Sequence, residues 1–335
     1  MTEFAIAPPS AVRNDSLVTT GLDCLAETEA FNAAFEAKAG SVPDRSRGVD
    51  AATLATLRRN RVGGEAPPVR LAEAHDRQVE VDGVRVGLRV FVPPVVEGAY
   101  LHIHGGAWMF GSADGQDEQL WDLARTARLA VLSVDYRLAP EHPYPAALDD
   151  CERAALWLVR NAAVEFGTDR LLIGGESAGA HLSLTSLLRL RDRHAITGAF
   201  RAAHLTFGPY DLSMTPSQRL FGSRRLVSNT DSLRGTYDAF VPGRTPEQRR
   251  DPDVSPLYAD LAGMPAARFV VGTDDPLRDD SLFMAARWRA AGLPVELEVV
   301  AGAMHGFTLF PLTITERELR RQTEFLSGAG RSLRP

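Results

Sequence analysis

What most constrains this chain is a series of short runs that are apolar on both faces, at residues 100–104, 130–136, 170–176, 202–208, 267–273 and 295–301. A strand covered on one side alternates apolar with polar residues, whereas a run apolar throughout suits a strand covered on both. Stretches of helical period separate the runs. The expected body is therefore an α/β fold, a mostly parallel central sheet flanked by helices. With 335 residues and 44% hydrophobic content there is material for one such core. Upstream, Val79, Val81, Val84, Val86 and Leu88 alternate with polar residues around Asp82-Gly83, the signal for a tight hairpin and an antiparallel start.

Two segments do not join that rhythm. Residues 1–70 offer an amphipathic helix around Leu25, Phe31 and Phe35 that ends near Gly40, and residues 211–258 hold scattered polar, Pro and Gly residues where a crossover helix is expected. Both are read as a helical cap over the carboxyl ends of the strands. The domain expectation is an N-terminal cap segment at 1–70 and a catalytic domain at 71–335 with a cap insertion at 211–258. Of the two cysteines, Cys151 recurs with Leu148, Ala155 and Leu158 on one helix face, which makes it a small core residue.

A net charge of -6 gives no electrostatic attraction for nucleic acid or an anionic membrane. No secretory signal and no bilayer-length apolar window is visible, so the expectation is a cytoplasmic protein with no membrane span. Residues 295–301 can form an exposed sheet edge, and a homodimer paired through it is a further expectation.

The chemistry centres on Gly175-Glu176-Ser177-Ala178-Gly179, which follows the strand-like Leu171-Leu172-Ile173 and precedes a helical run containing Leu182, Leu184, Leu187 and Leu188. A serine on a tight strand-to-helix turn exposes its hydroxyl, and the helix N-terminus favours negative charge beside it. That hydroxyl needs a base, and His305 in Ala303-Met304-His305-Gly306-Phe307 lies just after the last run. An acid must orient the imidazole, and the cluster Asp274-Asp275-Pro276-Leu277-Arg278-Asp279-Asp280 supplies it, taken as Asp275, with Asp279 or Asp280 capping the next helix. Donors for an oxyanion are expected from Gly105, Gly106 and Ala107 after an early strand, joined by the N–H of Ala178. His102 and His104 share a strand face without a third ligand cluster, so no metal is expected, and His104 is read as a brace for the loop. A dinucleotide fingerprint at Gly174-Gly175 fails because Glu176 occupies the third place of its register. No cofactor is expected.

Together these segments resemble the hormone-sensitive lipase family of bacterial carboxylesterases, within the α/β-hydrolase superfamily. The matching stretches are His104-Gly105-Gly106-Ala107-Trp108 with Gly111-Ser112, Val134 to Glu141, Gly175 to Gly179, Ser255-Pro256-Leu257, Asp275-Pro276-Leu277-Arg278-Asp279 and His305-Gly306-Phe307. The resemblance implies an α/β-hydrolase fold and hydrolysis of a small ester of short to medium acyl chain. It implies Ser177 as nucleophile, His305 as base and acid, and Asp275 as its orienter. Amidases, deacetylases and lactonases use the same triad, and a non-hydrolytic ligand-binding relative is the more distant reading. The family usually carries a third glycine where this chain has Ala107. The added methyl is expected to disfavour esters of tertiary alcohols, which in this family go with the all-glycine form. Trp108, Met109, Phe110, Tyr210 and Phe307 adjoin the motif residues and are expected to line the substrate pocket.

Overall fold

The runs apolar on both faces become the strands of one sheet in the computed structural model. It describes residues 18–40, 54, 58 and 69–329, so most of the N-terminal cap segment expected at 1–70, and the end of the catalytic domain beyond 329, lie outside the described residues. The strands are β1 (Val18–Thr20), β2 (Ala74–Val81), β3 (Val84–Phe91), β4 (Gly98–Ile103), β5 (Leu129–Asp135), β6 (Leu171–Glu176), β7 (Phe200–Thr206), β8 (Ala266–Asp274) and β9 (Val295–Met304). Their order is β1-β9-β8-β7-β6-β4-β5-β3-β2. Only the β2–β3 and β3–β5 pairings are antiparallel. The hairpin turn places Asp82 and Gly83 at φ 52° and 77°, the pair of left-handed residues that matches strand twist.

The sheet is accompanied by helices α1 (Leu25–Gly40), α2 (Asp117–Ala127), α3 (Ala146–Phe166), α4 (Ala178–His194), α5 (Pro216–Leu220), α6 (Thr230–Phe240), α7 (Arg278–Ala290) and α8 (Thr313–Gly328), with short 3-10 turns between elements. Every residue of β4 is buried, as a strand roofed on both sides requires. Cys151 is buried in α3. Because β4, β6, β7, β8 and β9 run parallel, their carboxyl ends open on one rim, and the loops that follow them converge there.

Two expectations are corrected. The strand over 295–301 is not an open edge: β1 pairs with it from Val18↔Glu298 to Thr20↔Val300, and the Thr20 hydroxyl donates to Glu298 Oε1 at 2.6 Å. Neither Asp279 nor Asp280 caps its own helix, since Leu277 holds that position without a side-chain cap. Asp280 faces the 211–258 insertion and accepts from Tyr210 N, Asp211 N, Thr215 Oγ1 and Gln218 Nε2 at 2.7–2.8 Å. Burial pushes its pKa up to about 7, while four donors favour the carboxylate. The insertion contains α5 and α6, the latter closed at its start by a reciprocal Asn229–Ser232 capping box.

A second buried charge group joins the sheet to α8. Arg268 donates to both oxygens of Glu318 at 2.6 and 2.7 Å and to Glu298 at 2.6 Å. Burial alone would raise the Glu318 pKa, but hydrogen bonds from Arg268 and His204 hold it down to about 2. A carboxylate with a lowered native pKa adds stability above its unfolded value of 4.5 and loses it as pH falls toward about 2. Urea unfolding measured across that acid range should show the loss. Glu318→Gln, which takes from Arg268 one carboxylate and leaves it Glu298, should lower stability at neutral pH by about 1.5–3 kcal/mol and flatten the acid dependence. An unchanged acid limb in this variant would assign the dependence to other carboxylates.

Candidate active site

Ser177 sits between the end of β6 and the first residue of α4, at φ 54° and ψ −121°. A non-glycine residue there is strained and persists only where its neighbours over-determine it. The flanking glycines supply that fit. A Cβ on Gly175 or Gly179 would come within 2.0 or 1.8 Å of the Ile103 carbonyl oxygen, so β6 and α4 can press against the end of β4 only with hydrogen at both positions. The turn is closed by Ser177 N donating to Thr206 O at 2.9 Å.

The loops after β8 and β9 meet the serine. Ser177 Oγ lies 2.9 Å from His305 Nε2, and His305 Nδ1 lies 2.9 Å from Asp275 Oδ2. The other Asp275 oxygen accepts the Leu277 N–H at 2.8 Å, which fixes the carboxylate plane. Asp275 and His305 are 2% and 6% exposed, so little water competes for these bonds. The edge of Phe207 packs on the His305 ring, centroids 4.9 Å apart at 64°.

Gly105 lies against the nucleophile turn, where a Cβ would stand 2.9 Å from Glu176 O and 3.5 Å from Ser177 Cβ. The chain then turns sharply, with Gly106, Ala107 and Trp108 at φ 118°, 56° and 56°. Met109 N and Phe110 N both donate to Gly106 O, at 2.9 and 2.8 Å. Of the four residues expected to supply oxyanion donors, Gly105 lies against the serine turn, Ala178 follows the serine in the chain, and Gly106 and Ala107 continue the turn that Gly105 begins.

His104 braces this turn. Its Nδ1–H donates to Gly105 O at 2.7 Å, its ring stacks on Tyr136 at 4.2 Å, and burial lowers its pKa to about 4, leaving it neutral. His102 bonds Ser133 Oγ at 3.0 Å and Glu176 Oε2 at 3.2 Å. Burial would raise the Glu176 pKa, yet His102 holds it below the usual carboxylate range. Among the described residues no group of three or more His, Cys, Asp or Glu side chains is arranged to hold a metal ion.

The expected pocket aromatics divide. Trp108 is 1% exposed, stacks on Phe240 at 4.3 Å and 5°, and donates Nε1–H to His181 Nδ1 at 3.3 Å. Tyr210 packs edge-on against Phe269, and Phe307 against Phe207. All three rings are buried and packed on other aromatic side chains. Met109 is nearly buried, and Phe110 is half-buried beside the oxyanion turn. Sequence reasoning missed Phe207, the residue directly after β7, although its place at a strand's carboxyl end was a usable signal. It also missed Arg58, which donates to the carbonyls of Met109 and Ala139.

The comparisons with known proteins agree with this geometry. A family model described as alpha/beta hydrolase fold matches residues 100–309. Carboxylesterase NlhH of Mycobacterium tuberculosis is 36% identical over 267 residues, covering 75% of this chain and 81% of that protein. Ethyl acetate hydrolase of Pseudomonas putida is 32% identical over 245 residues, covering 71% and 76%. Among solved structures, an ester hydrolase from the Lake Arreo metagenome, complexed with a bipyridine phosphonate derivative, superposes with a TM-score of 0.79 at 27% identity, over 91% of this chain and 98% of that one. A thermostable carboxylesterase cloned from a metagenomic library superposes with a TM-score of 0.71 at 26% identity, over 95% and 99%. With the matched region spanning both strand-end motifs and the sheet between them, the chain belongs to the hormone-sensitive lipase family of α/β-hydrolase-fold carboxylesterases.

Proposed function

We propose that the chain hydrolyses esters of short to medium acyl chains through an acyl-enzyme on Ser177. The observation that carries this reading is the continuous pair of 2.9 Å contacts from Ser177 Oγ through the His305 ring to Asp275. His305 Nε2 takes the hydroxyl proton as Oγ attacks the ester carbonyl carbon, and Asp275 accepts from Nδ1–H and stabilises the imidazolium. The carbonyl oxygen gains negative charge, which the peptide N–H groups of Gly106, Ala107 and Ala178 receive. The tetrahedral species expels the alcohol, which leaves with the proton from His305. Water then enters and gives a proton to the same nitrogen as its oxygen bonds the acyl carbon; the second tetrahedral species breaks its bond to Ser177 Oγ, which takes the proton back from His305, and the acid departs.

Relatives named ethyl acetate hydrolase and acetyl esterase support a small acyl group. Helix α1 and the 211–258 insertion form the cap in this reading. Asn32 donates to Gly302 O at 2.8 Å just before the His305 loop, and Arg224 pairs with Asp274 at 3.1 Å beside the catalytic acid. No described helix is long and apolar enough to cross a membrane, and Cys24 and Cys151 are unpaired and buried, in keeping with a reducing, cytoplasmic setting.

A chain-length series of acyl esters beside matched amides tests the reading, with greatest kcat/KM expected on short esters and slow turnover of amides. Ser177→Ala should abolish both turnover and labelling by a fluorophosphonate. Asp275→Asn should keep the fold and lower kcat by roughly 10⁴-fold, because the imidazole loses its tautomer control. Near-normal turnover in either variant would sink the assignment.

The third oxyanion position gives a separate test. Ala107 is at φ 56°, a region glycine enters without steric cost, and its methyl stands where the family's usual glycine leaves space. Wild type should leave tert-butyl acetate almost untouched, and Ala107→Gly should gain measurable hydrolysis of it. Brisk turnover by the wild type would overturn the steric role of Ala107.

A further inference from the structure

The oxyanion turn carries two non-glycine residues, Ala107 and Trp108, in left-handed backbone conformations. Both are strained in that region, so surrounding contacts must hold the turn in place. The core supplies one set. Trp108 is stacked on Phe240, and its indole N–H donates to His181 Nδ1, whose Nε2–H donates in turn to Val254 O at 2.9 Å. Ala139 N donates to Trp108 O at 2.9 Å, tying the turn to the segment after β5.

The other set comes from outside the matched catalytic region, through a side chain at position 58. Arg58 Nε donates to Met109 O and its Nη2 to Ala139 O, both at 2.8 Å. The same guanidinium makes a bidentate pair with Glu141, Nη1 to Oε1 and Nη2 to Oε2, each at 2.8 Å. Leu54, four residues earlier, is 2% exposed and belongs to the same core cluster as Trp108 and Met109. A planar fork can satisfy two carbonyls and a carboxylate at once, which a lysine cannot do.

We infer that Arg58 is a positioning residue for the oxyanion hole. It clamps the Met109 and Ala139 carbonyls so that the Gly106 and Ala107 peptides keep facing the reacting carbon, and the N-terminal segment thereby contributes to the chemical step. The inference rests on the reaction proposed at Ser177. Arg58 touches no reacting atom. Its effect is on the geometry of groups that stabilise the transition state more than bound substrate, so its loss appears in kcat rather than in KM.

The experiment compares wild type, Arg58→Ala, Arg58→Lys and Glu141→Gln in the full chain, by steady-state kinetics on a short acyl ester and by the rate and stoichiometry of fluorophosphonate labelling. A phosphonate oxygen occupies the place of the oxyanion, so its rate reports the hole without substrate turnover. Arg58→Ala should lower kcat and the labelling rate together by between about 10- and 100-fold, with KM within about twofold and labelling still stoichiometric. Arg58→Lys should recover part of the loss, and Glu141→Gln should show a smaller loss of the same kind. A purely structural role would lower the melting temperature and leave kcat and labelling rate unchanged well below it, which overturns the inference. A loss confined to KM overturns it too. If Arg58→Ala does not fold, wild-type rates in both Arg58→Lys and Glu141→Gln overturn it. Failure of Ser177 to label in the wild type would instead bring down the reaction reading itself.

Discussion

The chemistry of this protein stands on one close approach, that of the β6–α4 turn to the carbonyl end of β4. The Ile103 oxygen occupies the space that a Cβ on Gly175 or Gly179 would need. Hydrogen at both places lets Ser177 adopt φ 54° with its hydroxyl lifted toward His305, and it brings Gly105 against the same turn. The Ser177 turn and the loop that begins at Gly105 are therefore placed by a single contact between neighbouring strands. The strain at Ser177 is borne by the buried centre of the sheet, where backbone pairing on both sides leaves the turn few alternatives.

The sheet was legible in the sequence because roofing on both faces removes polar residues from a strand, and the hairpin was legible because Asp82-Gly83 can take two left-handed conformations. β1 was not, since Val18, Thr19 and Thr20 are too few to show a period. That Ser177, His305 and Asp275 come together was legible from chain order and from placement after strands. Which of the aromatics beside the motifs face a pocket was not legible, because adjacency in sequence does not say which way a ring turns. Trp108 follows two oxyanion residues, yet its backbone at φ 56° sends the indole inward onto Phe240. Arg58 left no signal at all, because its partners at Met109 and Ala139 are main-chain carbonyls, which every residue type possesses.

Buried charge is used here to join pieces as well as to run chemistry. Asp280, in the first turn of the helix after the catalytic acid, collects donors from the start of the 211–258 insertion. Arg189 on α4 binds Asp253 at the far end of the same insertion through both oxygens, and Tyr144 donates to Asp253 as well. An apolar interface between insertion and core would tolerate sliding. Directional bonds to a buried carboxylate at one end and a buried guanidinium at the other fix where the insertion starts and stops, at the cost of desolvating both ions.

The same logic extends to the rim. The Asp275 loop is touched by Arg224 and Asn32 at Asp274, the His305 loop by Asn32 at Gly302, and the turn after Gly105 by Arg58 at Met109. Each of these contacts comes from the N-terminal segment or the insertion, not from the sheet and its covering helices. The hydrolase core supplies strands that aim the loops and hydrogen bonds within them, and the added segments supply further polar contacts to each loop. A change in either added segment can therefore alter turnover without altering one residue of the triad, because what it moves is the distance between groups whose contribution falls off steeply within an ångström.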